Sequence, residues 1–358
     1  MTRGGDLSFG LAPLTTAGPL IVSAATREPV WLRGVNRSGL EYAEPDGSRD
    51  FLAAVGITED EIATIAREWG ARIIRLPFTQ DFVLRGRRGR SAADYLDALD
   101  RVVAWAARHG CYTLLDLQWL DADRVFGMNA DFTWNRVPPL PDARTAETWA
   151  ILASRYRDEP AVLFDLFNEP HDPLPDDSAV LHGIAEDGTH GPTVVPLRHR
   201  RVRMREWQPW ARHLIATIRA EHPTSLIFVS GIRWAYDLRG MPLTVSASSS
   251  EDLPNIVYST HVYPWCRTAP IIAGSYERDW HRAFGHLVGR VPLFVAEWGG
   301  TADHLAFGVR LLRYLESHRI GWTAWSWADW PHLVADCRAC DYTPSAFGAL
   351  VQAALRHV

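Results

Sequence analysis

Two short stretches, AVLFDLFNEP (residues 161–170) and PLFVAEWGG (residues 292–300), run apolar and then stop at a carboxylate, Glu169 in the first and Glu297 in the second. Apolar runs of this length read as strands covered on both faces. An ionisable group at such a strand end is costly to bury uncompensated, so each glutamate either reaches solvent or is held in a cleft for a purpose. Two carboxylates facing one another are the equipment of glycosidic bond hydrolysis: one protonates the leaving oxygen while the other attacks the anomeric carbon or activates water. The competing reading is a pair of exposed acids at strand ends, paired with Arg75.

The elements that would have to position them repeat along the chain. Eight apolar strand candidates occupy residues 30–36, 71–78, 111–119, 161–169, 225–231, 255–263, 292–300 and 321–329, with helical patterns starting near Asp60, Ala92, Thr145, Arg205 and His304 between most of them. Strand and helix alternating eight times predict an α/β fold, a single (β/α)8 TIM barrel spanning residues 1–358. Residues 1–29 read as a lead-in containing one arm of a short β-hairpin, pairing 20–23 with 30–33. Residues 171–203 read as a long insertion after strand 4, with little periodicity. No helix is placed in 231–255, which reads largely as loop.

In such barrels the carboxyl ends of the strands carry the active site. Polar and aromatic residues gather there: Asn36 and Arg37, Arg75, Asp116 with Gln118 and Trp119, Asn168 with Glu169, Trp234, His261 with Tyr263, Glu297 with Trp298, and Trp325 with Trp327. Of sixteen tryptophans, eight (Trp119, Trp134, Trp234, Trp265, Trp298, Trp325, Trp327 and Trp330) fall at or just past a strand end. That bias suits a ligand with broad apolar faces and hydroxyl edges, a sugar ring or chain. No glycine-rich phosphate cradle accompanies it, and no cofactor is expected.

Composition narrows the partners. The 37 basic and 42 acidic residues give a net charge of −5, which argues against a general nucleic-acid surface. The basic run at 197–205 reads as a solvated loop entering a helix. No apolar run reaches membrane-spanning length, so no membrane partner is expected. The first residues, broken by Asp6, Pro13 and Gly18, make a poor export signal; that suits either a cytoplasmic protein or one secreted after loss of its signal. Cys337 and Cys340 form a weak metal pattern, more in keeping with a local disulfide or free thiols. Oligomeric state is not readable.

LRGVN, RLPF, LLDLQW, DLFNEP, HVYPW, AEWGG and AWSWAD, in that order, resemble the clan A glycoside hydrolases, specifically glycoside hydrolase family 5, from about residue 30 to 347. The resemblance implies a retaining double displacement with Glu169 as general acid/base and Glu297 as nucleophile, the carboxyl groups about 5–5.5 Å apart. It further implies that Asn168 bonds the sugar 2-hydroxyl, that Tyr263 touches the nucleophile, that His261 orients the network, and that Trp325, or Trp327 two residues on, forms the platform under the cleaved sugar. Arg75, Gln118, Trp119, Trp234, Trp265 and Trp298 complete the expected substrate-binding set.

One position departs from the family pattern: Gln118 stands where a histidine is usual, and it can donate and accept but not titrate. The insertion at 171–203 is a second departure, able to close one end of the cleft. The expected activity is therefore a cellulase-like endo-β-1,4-glucanase, with an exo-acting β-glycosidase or β-mannanase next. Less favoured are a metal-dependent sugar isomerase using Asp116, Glu169, His261 and Glu297 as ligands, and a carbohydrate-binding barrel without catalysis.

Overall fold

The computed structural model describes residues 10–121, 137–172, 180–184, 190–194, 201–243, 253–266 and 276–357. Trp134, and the parts of the 171–203 insertion and of the basic run that fall between these ranges, lie outside the described residues.

Eight parallel strands close into a barrel in chain order: β1 (Arg33–Asn36), β2 (Ile73–Thr79), β3 (Tyr112–Trp119), β4 (Val162–Asp165), β5 (Ile227–Ser230), β6 (Ile256–Val262), β7 (Leu293–Trp298) and β8 (Gly321–Ala324), with β8 returning to β1. This is a (β/α)8 TIM barrel. Each strand begins within three residues of the expected start, but β4 and β8 stop four or five residues early, so Glu169 and Trp325 stand on loops beyond the last ladder bonds. Closure demands tight contact at β1: a Cβ on Gly34 would meet the carbonyl oxygen of Ile73 at 1.7 Å, so only glycine fits.

Helices Ala92–Arg108, Thr145–Arg155, Met204–Glu221 and Leu305–Ser317 fall where the periodicity puts them. Ser91 caps the first of these through a reciprocal capping box with Asp94. Between β5 and β6 the described residues contain no helix, and Tyr276–Ala283 supplies the one after β6. The N-terminal hairpin is a correction. Leu20–Ser23 pairs mainly with Leu14–Ala17, because Gly18 at φ 55° turns the chain within two residues; with the expected arm it keeps only a Val22–Pro29 bridge and the Val30 N–H donated to the Ile21 carbonyl at 2.9 Å. The insertion after β4 is also less irregular than expected, since Val180–Ile184 and His190–Val194 form an antiparallel pair. None of Cys111, Cys266, Cys337 and Cys340 is joined in a disulfide.

Period-two alternation decides what enters the barrel. Ile73, Tyr112, Leu114, Leu163, Phe228, Val257, Phe294 and Ala296 form one inner apolar cluster, which Leu14 and Ile21 of the hairpin join. The alternate residues, such as Ile74, Leu115, Phe164, Val229 and Val295, pack outward in the larger cluster shared with the helices. Following the inward parity one step toward the carboxyl ends gives Asn36, Arg75, Asp116, Asp165, Ser259 and His261, all buried. A polar layer therefore sits directly on the apolar plug.

Candidate active site

The inward layer is organised by one cation. Arg75 is fully buried: its Nε donates to Asp165 Oδ2 (3.0 Å), Nη1 to Asn36 Oδ1 (2.9 Å) and Glu297 Oε1 (2.6 Å), and Nη2 to Asn168 Oδ1 (3.0 Å). Nη2 also lies 2.8 Å from Asp116 Oδ1. Five side chains from four strands or their ends thus converge on a single guanidinium, whose planar fork suits such bridging. Arg75 is accordingly a correction to the expected substrate contact: it is sealed beneath the pocket and acts on Glu297.

Glu297 owes its inward position to a bulge. The pairing of β6 with β7 steps from Thr260↔Val295 to His261↔Glu297, and β7 slips again against β8 between Val295 and Trp298. One extra residue in β7 breaks the alternation after Ala296, turning Glu297 inward and Trp298 outward. Trp298 is therefore a second correction. It is fully buried in the outer core, with ring centroids 5.3 Å from Trp322 and 5.6 Å from Phe347, and offers nothing to a ligand.

Glu169 comes from a different kind of strain. It takes φ 51°, a left-handed conformation uncommon outside glycine. Its carbonyl oxygen lies 2.7 Å from His171 Nδ1, and the His171 ring stacks on Trp234 at 3.9 Å and 9°. The backbone N–H of Trp234 in turn donates to the Pro170 carbonyl at 3.1 Å. The turn carrying the carboxylate is thus clamped from the β5 side.

His261 Nδ1 joins the two glutamates, lying 2.9 Å from Glu169 Oε1 and 3.5 Å from Glu297 Oε2. Facing two carboxyl groups, Nδ1 is the nitrogen that carries the hydrogen. Burial pulls His261 down to about 4, so the ring is neutral in ordinary buffers. The Tyr263 hydroxyl donates to Glu297 Oε2 at 2.9 Å. Burial also raises both glutamates. Glu169 reaches about 7, with the charge of Arg75 and the His261 N–H at its Oε1 working against that rise. Glu297 is raised too, but His261, Arg75 and the Tyr263 hydroxyl all work against that rise. The carboxylate form is therefore directly supported by hydrogen-bond donors at Glu297, while Glu169 holds a proton near neutral pH.

The nearest atoms of Glu169, His261 and Glu297 all lie within 4.8 Å of one another, a spacing that would also admit a cation. Asp116 does not join them, since its carboxylate lies against Arg75. The four-ligand set considered for an isomerase is therefore not assembled.

Around this centre the aromatic residues divide. Trp327, fully buried, donates its Nε1–H to Glu61 Oε1 (3.0 Å) and packs edge-on to Trp69, so it is a third correction to the binding set. Trp325 remains half-buried at the rim, its Nε1–H donated to the Trp330 carbonyl. Trp265 stacks on Tyr263 (5.0 Å, 11°) and lies nearly parallel to Trp330; these two are 55% and 62% exposed. Trp119 is half-buried beside Tyr42, and Gln118 presents a buried Oε1 with no donor among the described residues. Asp165 and His171 are additions to the expected set. In the sequence Asp165 reads as strand interior, although its inward parity with Leu163 is a usable signal.

The cellulase (glycosyl hydrolase family 5) family model matches residues 25–330. The chain belongs to glycosyl hydrolase family 5. It is a glycoside hydrolase, an enzyme acting on carbohydrate. Among family 5 relatives, an endoglucanase of Paenibacillus polymyxa is 24% identical over 352 residues, covering 87% of this chain and 78% of the relative. Endoglucanase E-5 of Thermobifida fusca is 21% identical over 309 residues, covering 84% of this chain and 53% of that protein. This chain thus spans only about half the length of some curated relatives. A β-glucanase of Saccharophagus degradans solved with cellotetraose superposes with a TM-score of 0.70 at 21% identity, covering 99% of this chain and 96% of that one. The catalytic domain of the T. fusca endoglucanase, also solved in complex with cellotetraose, gives 0.66 at 19% identity, covering 98% and 100%. At these identities the superpositions speak for the fold.

Proposed function

We propose that this family 5 enzyme is a retaining endo-β-1,4-glucanase, with Glu169 as general acid/base and Glu297 as nucleophile. The observation that carries the reading is the position of His261 Nδ1, 2.9 Å from one carboxylate and 3.5 Å from the other. The nearest oxygens of the two carboxyl groups lie within 4.8 Å of each other, which supports the short separation used for a covalent glycosyl intermediate over the wider one used for inversion. Glu169, protonated near neutral pH, donates to the departing glycosidic oxygen. Glu297, held by Arg75 and Tyr263, attacks the anomeric carbon. Asn168, its Oδ1 occupied by Arg75, offers its amide hydrogens to a sugar hydroxyl beside the bond. Trp325, Trp265 and Trp119 supply apolar faces at the rim, and Gln118 Oε1 waits for a hydroxyl donor.

The glucan preference is supported by the endoglucanases and cellotetraose complexes among the relatives. Hydrolysis of cello-, manno- and xylo-oligosaccharides, followed alongside aryl β-glycosides, tests it. The expected result is fastest internal cleavage of the cello-series with the β-anomer released first. Release of single sugars only, or preference for the manno-series, would overturn the endo-glucanase reading.

A further inference from the structure

Beneath the two glutamates lies a second pair of carboxyl groups. Asp116 on β3 and Asp165 on β4 are register partners on adjacent parallel strands, both inward and both against Arg75. Partners in register on neighbouring strands stand about 4.8 Å apart at their backbones, so the two side chains are neighbours. Their hydrogen bonding is unequal. Asp165 Oδ2 accepts from Arg75 Nε at 3.0 Å, while its Oδ1 is buried with no donor among the described residues. Neither oxygen of Asp116 receives a well-aligned hydrogen bond from them, although Oδ1 lies 2.8 Å from Arg75 Nη2.

The charge count sharpens the point. Among the described residues, Arg75 is the one cation paired with Asp116, Asp165 and Glu297, whose side chains are between 0% and 6% exposed. Three buried carboxylates on one guanidinium would leave two uncompensated charges, and such sites take up a proton instead. The titratable groups facing Asp116 are Arg75 from β2, Asp165 from β4, Glu297 from β7 and Glu41 from the segment after β1; His261 from β6 faces Asp165.

We propose that Asp116 is a positioning residue kept as a neutral carboxylic acid, sharing its proton with the free oxygen of Asp165, so that the charge of Arg75 is left to Glu297. Burial and the neighbouring anions push Asp116 well above the usual carboxylate range, in the same direction. The consequence for the reaction is a constant charge. In the resting site Arg75, Asp165 and Glu297 together carry a net −1. After glycosylation Glu297 is an ester and Glu169, having given its proton to the leaving oxygen, carries it. An ionised Asp116 would place a further charge beside the nucleophile in both states.

The kinetic consequence rests on Glu297 being the nucleophile, but the protonation state can be read without activity. Infrared difference spectra at pH 9 between the Glu169→Gln protein and the same protein also carrying Asp116→Asn should show a protonated-carboxyl carbonyl band lost with Asp116; buried Glu41, itself raised well above the carboxylate range, contributes equally to both and so cancels. In otherwise native enzyme, Asp116→Asn should leave the acid limb of kcat/KM at its native pH. Absence of that difference band overturns the proposal. So does a downward move of the acid limb by about one unit or more, the shift expected when a neighbouring negative charge is removed. If Asp116→Asn does not fold, carboxyl-13C aspartate labelling of the Glu169→Gln protein still decides: an isotope-shifted protonated-carboxyl band is expected at pH 9, since the other raised acids among the described residues are glutamates, and its absence overturns the proposal. Failure of the catalytic reading would show separately, as no fluorosugar adduct on Glu297 with the band intact.

Discussion

His261 Nδ1 sits 2.9 Å from Glu169 Oε1, a neutral imidazole donating to the carboxyl group proposed as the general acid/base. With Glu169 near 7, activity should fall as pH rises through about 7, because the deprotonated acid cannot assist departure of the leaving group. The His261 N–H favours the carboxylate, so removing it raises the Glu169 pKa. His261→Leu is expected to move the basic limb of kcat/KM upward by about one unit, the equivalent of about 1.4 kcal/mol. A pH–rate profile in which that limb stays put would show that His261 does not govern the proton.

Glu169 and Glu297 should separate by leaving group. Glu297→Ala is expected to abolish turnover of every substrate. Glu169→Ala should lose about 10²–10⁴-fold on oligosaccharides but much less on aryl glycosides whose departure needs little protonation. Equal loss on both substrate types in steady-state assays would reverse or void the assignment.

Tyr263→Phe removes the hydroxyl donated to Glu297 at 2.9 Å without changing the stack on Trp265. A hydrogen bond to a charged group contributes about 1.5–3 kcal/mol. Turnover should fall about tenfold to a hundredfold, with the acid limb moved upward because the carboxylate has lost a donor. Kinetics across the acid limb would show both effects.

Gln118→His should be tolerated, since the side chain ends β3 half-buried and no described partner depends on its Oε1. The expected change is in the ratio of kcat/KM between cello- and manno-oligosaccharides, with melting temperature preserved. Collapse of the fold would mean that the position is structural.

Away from the pocket, Arg37 and Glu61 form an ion pair of 2.7 Å in which neither side chain is exposed, and Trp327 donates to the second oxygen of Glu61. Glu61→Ala strands a buried guanidinium and an indole N–H, at a cost of about 3–5 kcal/mol. Chemical denaturation should report that loss.

The sequence by itself determined the barrel, because eight strand patterns recur with helical periodicity between most of them. It also determined which residues end the strands, and so brought Glu169, Glu297, Asn168, His261 and Tyr263 into view. Tertiary structure alone decided which way those ends face. The bulge in β7 inverts the parity between Glu297 and Trp298, a shift that depends on pairing with β6 and β8 and leaves no trace in the local pattern. Trp327, at the end of WTAWSW, is drawn into the core by a buried acid 266 residues away. The strain at Glu169 is held by His171 and Trp234, residues on two different loops. Likewise, only barrel closure brings Asp116, Asp165 and Glu297 onto the single charge of Arg75, since alternation places Arg75, Asp116 and Asp165 inward but says nothing of which others they will meet.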